Sequence, residues 1–145
     1  MTISQQLITQ KLTALGEYEG ELQALLARMS DAEILTDTHG SIHAAERLVQ
    51  LIADTMVDIN QHIMRNTALP FEDSTFSTFT IISEHGVVPR DLALRLAPIT
   101  GMRNILVHQY EKIDKELFLR KTREHLGDIP EYARHILAYM EKNPA

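Results

Sequence analysis

The chain has 145 residues, no cysteine, no tryptophan and a formal net charge of −6. That length suits one domain with its own core, and the lack of cysteine excludes a disulfide framework, a thiolate nucleophile and a Cys-ligated zinc or iron–sulfur centre. Hydrophobic residues make up 44% and charged residues 23%, which excludes a disordered or collagen-like chain.

The first residues, Met1 to Gln6, lack the cationic start and apolar run of a signal peptide. No apolar stretch approaches the roughly 18 residues of a membrane span. The expectation is a single cytoplasmic domain over residues 1–145.

Residues 4–29 place apolar side chains at Ile8, Leu12, Leu15, Leu22, Leu26 and Met29. These spacings of three, four and seven make one stripe on a long helix. Gly16 and Gly20 lie one turn apart and are expected to let another helix come close. Ser30 to Gly40 reads as a short link with one helical turn. Ile42, Ala45, Val49, Ile52, Met56, Ile59 and Ile63 then keep an unbroken three-four rhythm, the clearest helix in the chain. Asp37, Thr38 or Ser41 is its expected cap.

Asn66 to Asp73, with Pro70, reads as a loop. Residues 74–85 have the composition of a strand. Phe76, Phe79 and Ile82 nevertheless keep helical spacing, with Ser74 as cap and Gly86 as stop. A lone strand would have nothing to pair with, so the segment is predicted to be helical. Pro89 suits the first turn of the next helix, which runs through Leu92, Leu96, Ile99 and Leu106. Pro98 inside it is expected to produce a kink. Asp114 is the expected cap of a last helical region built on Leu117, Phe118, Leu126, Tyr132, Ile136 and Met140, broken around Gly127 and Pro130. The sum is an all-α, antiparallel bundle of four to five helices.

Charge is uneven. Arg103, Lys112, Lys115, Arg120, Lys121 and Arg123 face only Glu111, Asp114 and Glu116 within residues 103–123. This stretch is a candidate anion site, although a solvated face of mixed charge has the same composition.

The segment from Gly101 to Tyr110 sets Arg103, Asn104, His108 and Tyr110 among apolar neighbours. With Arg103 at 0° on a helix, Tyr110 falls near about −20°, Asn104 near about 100° and His108 near about 140°. Ala97 and Gly101 share the face of Asn104 and His108. Such a small-residue stripe suits self-association, and a two-fold dimer would bring two arginines and two histidines into one cleft. Arginine offers a permanent charge and a planar fork matched to phosphate. Histidine gives or takes a proton near neutral pH. Cleaving RNA without a metal needs a base for the ribose 2′-hydroxyl, an acid for the leaving 5′-oxygen and a cation for the charged phosphorane.

Arg103-Asn104-Ile105-Leu106-Val107-His108-Gln109-Tyr110 resembles the R-x(4–6)-H-x-Y signature of the HEPN superfamily, and most of all its HepT-like toxin branch. Glu46-Arg47-Leu48-Val49-Gln50, Asp58 to Ile63 and the Gly86-Val87-Val88 segment extend the resemblance, which spans residues 1–140. It implies a helical homodimer with its motifs near the dimer cleft. It implies a metal-independent endoribonuclease toxin in which Arg103 and His108 carry the activity on an RNA substrate. It further implies a minimal nucleotidyltransferase of the MntA antitoxin type as partner, silencing the toxin by AMP transfer to Tyr110. Asn104 is a candidate substrate-positioning donor. No cofactor is expected.

Glu46 and Asp58 are candidates for orienting Arg103 or His108 from behind. Asp54 and Asp58 share a helix face and are expected to be solvated or paired with Arg47 or Arg65. His39 and His43 have i, i+4 spacing but no third ligand, so no metal site is expected. The alternative function is a non-catalytic helical module that binds a nucleotide or substrate for a nucleotidyltransferase partner.

Overall fold

Ser4 opens the first helix. Its hydroxyl accepts from the Leu7 amide at 3.2 Å, and α1 runs Gln5–Arg28. A computed structural model describes residues 3–67, 69 and 75–143, with side chains described from residue 77 onward in the last stretch. Pro70, the expected Ser74 cap and the Phe76 side chain lie outside the described residues.

The expected turn between the two long helices is α2 (Asp31–Thr36), closed by a capping box of Ser30 and Glu33. The long helix α3 spans Ser41–Asn66 and buries every position of its predicted rhythm, from Ile42 to Ile63. Each fully buried Ile there stabilises the fold by about 1.5–3 kcal/mol. Gly40, at φ +89°, is the N-cap and has no side chain to offer. Asp37 supplies the missing acceptor instead: its carboxylate takes the His39 amide at 3.1 Å, the Ser41 amide at 3.3 Å and the Ser41 hydroxyl. These bonds, the Ser41 hydroxyl foremost, hold Asp37 below the usual carboxylate range.

α1 and α3 pack antiparallel. The Ser4 amide donates to His62 Nε2 at 3.0 Å and Lys11 pairs with Asp58 at 3.2 Å. At the other end Ser41 meets Met29. Gly16 and Gly20 have open space where a Cβ would point. The close helix approach expected there does not occur within the chain.

Residues Thr75–Glu84 form α4, a helix rather than a strand. Phe79 and Ile82, three residues apart, are both buried in the core, which decides the ambiguity in favour of the helical period. Gly86 stops it at φ +79°. The Gly86 amide donates to Ser83 O at 3.1 Å and the Val87 amide to Ile82 O at 3.0 Å, the paired bonds of a Schellman ending.

The helix α5 (Arg90–His108) continues through Pro98. It is followed by a 3₁₀ turn over Tyr110–Lys112, α6 (Lys115–His125) and α7 (Asp128–Lys142). Asp114 caps α6 by accepting the Leu117 amide at 3.0 Å, and the predicted last region divides at Leu126–Gly127. The architecture is therefore all-helical, with seven α-helices among the described residues. α3 lies at its centre. The buried Tyr132 of α7 reaches Asn60 Oδ1 at 2.6 Å and Met56 O at 3.1 Å, and Asn60 donates to Thr78 at 3.2 Å. The Tyr132 ring meets Phe79 edge-on at 5.9 Å. Three helices are thus joined by hydrogen bonds between buried polar groups.

Candidate functional site

α5 lies antiparallel to α3. Arg103 meets Asp54, and seven residues later Tyr110 meets Glu46, eight residues back along α3. A helix rises about 1.5 Å per residue, so the two α3 carboxylates stand roughly 12 Å apart.

Arg103 donates from Nε to Asp54 Oδ1 at 2.7 Å and from Nη1 to Asn104 Oδ1 at 3.3 Å. The guanidinium is 24% exposed. Nη2 makes no hydrogen bond among the described residues and is the donor left for a phosphate oxygen. Asp54 pairs neither with Arg47 nor with Arg65, as the helix face had suggested. The reason is that Arg103 of α5 lies across from it.

His108 is the last residue of α5. It is exposed and makes no hydrogen bond among the described residues. Arg103 turns toward α3 and His108 turns away, as their five-residue separation requires of a helix. Within one chain no hydrogen bond or ion pair joins the two side chains among the described residues.

The helical register drawn through Tyr110 needs correction. α5 ends at His108; Gln109, its C-cap, still donates its N–H to the Ile105 carbonyl at 2.8 Å but leaves the helical region at φ −138° and ψ 39°. Tyr110 begins the 3₁₀ turn. Its hydroxyl donates to Glu46 Oε1 at 3.0 Å, accepts from Lys115 Nζ at 3.0 Å and lies 3.3 Å from His43 Nδ1. Lys115 Nζ is 5.2 Å from the ring centroid. With the phenol oxygen on the ring edge and much nearer, the ammonium sits beyond the hydroxyl and not over the face. The Tyr110 bond, helped by the Glu46 carboxylate, raises Lys115 above the ordinary lysine range.

Glu46 and Asp58 therefore do not stand behind Arg103 or His108. Glu46 holds Tyr110 and lies 3.0 Å from His43 Nδ1, while Asp58 pairs with Lys11. His43, weighed as a metal ligand with His39, belongs to the tyrosine cluster. Sequence reasoning missed Lys115 as a partner of Tyr110, and it missed Asp54 as the partner of Arg103.

The basic stretch is also less free than its composition suggests. Arg123 is bound to Asp31 Oδ1 and to the carbonyls of Leu26 and Met29. Lys121 faces Glu124 at 3.8 Å. Arg123 thus ties α6 to the α1–α2 corner, and much of the positive charge in residues 103–123 is engaged within the chain.

One side of α5 is uncovered. Gly101, Asn104 and His108 are exposed, as are the apolar Ile105 and Val107. Beside them an open groove of about 340 Å³ runs between α5 and α6, lined by Pro98, Met102, Ile105, Ile113, Leu117 and Phe118 together with Lys112 and Lys121. No helix among the described residues is long and apolar enough to cross a membrane.

A family model described as ribonuclease HepT-like matches residues 15–136. The chain belongs to that family. Over 95 residues it is 34% identical to the tRNA nuclease HepT of Aphanizomenon flos-aquae, covering 66% of this chain and 65% of that protein. Over 84 residues it is 26% identical to the mRNA nuclease HepT of Shewanella oneidensis, covering 58% and 63%. The match thus spans just under two thirds of the length of these curated relatives. The tri-AMPylated Shewanella oneidensis HEPN toxin, solved in complex with MNT antitoxin, has the same fold, with a TM-score of 0.83, 21% identity and coverage of 93% of this chain and 99% of that one. The family resemblance read from the motif is borne out, and so is the all-helical fold.

Proposed function

We propose that this HepT-like chain is a metal-independent endoribonuclease toxin that acts as a homodimer. The observation that carries the reading is the division of the motif: Arg103 is fixed by Asp54 with one guanidinium nitrogen to spare, and His108 stands exposed and unbonded on an uncovered face. A second copy seated on that face would bring its own Arg103 and His108 to the first. The apolar groove beside α5 supports such a contact, since burying it is favourable.

In the proposed reaction one His108 takes the proton of a ribose 2′-hydroxyl as its oxygen attacks the adjacent phosphorus. The other protonates the leaving 5′-oxygen. Arg103 stabilises the charge on the phosphorane, and Asn104 helps position the phosphate. The relatives named as tRNA and mRNA nucleases support RNA as the substrate class, and a cytoplasmic site of action is part of the same reading. The AMPylated relative bound to its antitoxin supports an MntA-like nucleotidyltransferase partner and silencing by AMP transfer to Tyr110.

A second reading has one observation in its favour. Arg103 is already paired with Asp54, which suits a module that binds a nucleotide without cutting. The purified chain is expected to cleave RNA in EDTA, and His108→Ala to abolish cleavage with an unchanged helical spectrum. A wild-type protein inert on all RNA while binding its partner would favour the module.

A further inference from the structure

Glu46 is 5% exposed, and its Oε2 is buried without a hydrogen-bond partner among the described residues. A carboxylate oxygen left so is costly and calls for an explanation. The other oxygen, Oε1, receives the Tyr110 hydroxyl at 3.0 Å. Lys115 approaches the same hydroxyl from the far side at 3.0 Å. The group opens into a pocket of about 300 Å³ lined by His43, Glu46, Arg47, Gln50, Leu106 and Tyr110. Arg47 is exposed on its wall and makes no ion pair among the described residues. A phenol set between a buried carboxylate and an ammonium, beside an open pocket with an arginine on its wall, suits a nucleophile that meets a phosphate.

We propose that Glu46 is the general base that activates the Tyr110 hydroxyl toward a nucleoside triphosphate, so that the chain itself supplies part of the catalysis of its own modification. The proposal rests on the reading of Tyr110 as the acceptor of AMP. The phenol oxygen attacks the α-phosphorus of the triphosphate. The new oxygen–phosphorus bond forms as the bond to the bridging oxygen breaks, and pyrophosphate leaves with that electron pair. The phenol proton passes to Glu46 Oε1, and His43, 3.0 Å from the same oxygen and open to solvent, passes it on. Lys115 offsets the charge that gathers on the phenol oxygen, and Arg47 meets the phosphates. Among the described residues, the titratable and charged groups facing the Tyr110–Glu46 pair are His43 and Arg47 from α3 and Lys115 from α6, while α5 contributes Leu106 to the pocket wall.

The chain alone provides the first test. N-acetylimidazole acylates tyrosine hydroxyls, and peptide masses separate Tyr110 from Tyr18 and Tyr139. Glu46→Gln keeps the side chain's shape and removes the base. It is expected to slow acylation of Tyr110 by about tenfold or more at neutral pH, with Tyr18 and Tyr139 unchanged. The deficit should shrink as the pH nears about 10, where free phenols ionise unaided. Lys115→Met, on the surface, should slow the same site without affecting the fold. An unchanged Tyr110 rate in Glu46→Gln, or a deficit equal at every pH, overturns the proposal. The second test adds the nucleotidyltransferase partner with magnesium and ATP and follows intact mass. Glu46→Gln should gain AMP roughly 10²–10⁴-fold more slowly than wild type. A wild-type chain that gains no AMP overturns both readings, whereas a Glu46→Gln chain modified as fast as wild type overturns this one alone.

Discussion

Asp54 grips Arg103 through the inner nitrogen of its guanidinium, at 2.7 Å, while Nη1 donates to Asn104 and Nη2 is left without a hydrogen bond among the described residues. The carboxylate acts as an orienting strut for a cation whose task lies elsewhere. Both side chains are partly exposed, so the pair adds little to stability, about 0.2–1 kcal/mol. Asp54→Asn is therefore expected to melt close to wild type while cleaving RNA more slowly in single-turnover assays, with the loss largest at low salt, where the pair is least screened. Cleavage at the wild-type rate would show that Arg103 needs no strut.

Tyr132→Phe tests the polar knot in the core. The change removes the hydroxyl that serves Asn60 Oδ1 and Met56 O, and nothing else in that buried place replaces it. Urea unfolding should show a loss of about 1–3 kcal/mol. A variant as stable as wild type would mean that Asn60 finds another donor.

Gly86→Ala isolates a backbone effect. Space is open where the new methyl group would stand, but φ is +79°. The cost should be close to about 1–2 kcal/mol, the ordinary penalty of that conformation. A much larger loss would reveal a side-chain clash that the geometry does not contain.

His62 links the start of α1 to pH. Its Nε2 accepts the Ser4 amide, so the bond requires the neutral ring. Burial, then the nearby Arg65 charge, push the group below its ordinary 6.5. A depressed value means that the unfolded chain takes up the proton first. The stabilisation is present above pH 6.5, begins to fade below it and is lost as the pH falls through the folded value. The melting temperature should drop between pH 7 and pH 5, and a His62→Gln variant should flatten that slope. An equal slope in the variant would assign it to other groups.

Much of the fold was legible because its signals are local or periodic. The three-four rhythm from Ile42 to Ile63 is the buried stripe of α3. Phe79 and Ile82 kept their spacing through a segment of strand-like composition, and Gly86 marked its end. The end of α5 left no such mark. Gln109 is neither glycine nor proline, and what holds Tyr110 comes from Glu46, 64 residues away, and from Lys115 across a helix cap. Charge misled in the same way. Arg123 looked available for an anion until Asp31, 92 residues earlier, proved to be its partner. The spacing of Arg103, His108 and Tyr110 could be read as a motif from the sequence. Their division between the α3 side and the open side of α5 could not, because it depends on which helix packs where.

That α3 carries both Asp54 and Glu46 gives the molecule a built-in ruler. The two carboxylates are stations on one stiff rod, so the spacing of the points that hold the arginine and the tyrosine is set by the backbone of α3. Any adduct grown from Tyr110 would have to bridge roughly 12 Å before it shades the guanidinium. Under the proposed AMP transfer, reach, and with it the number of units added, would then decide how completely the arginine is covered.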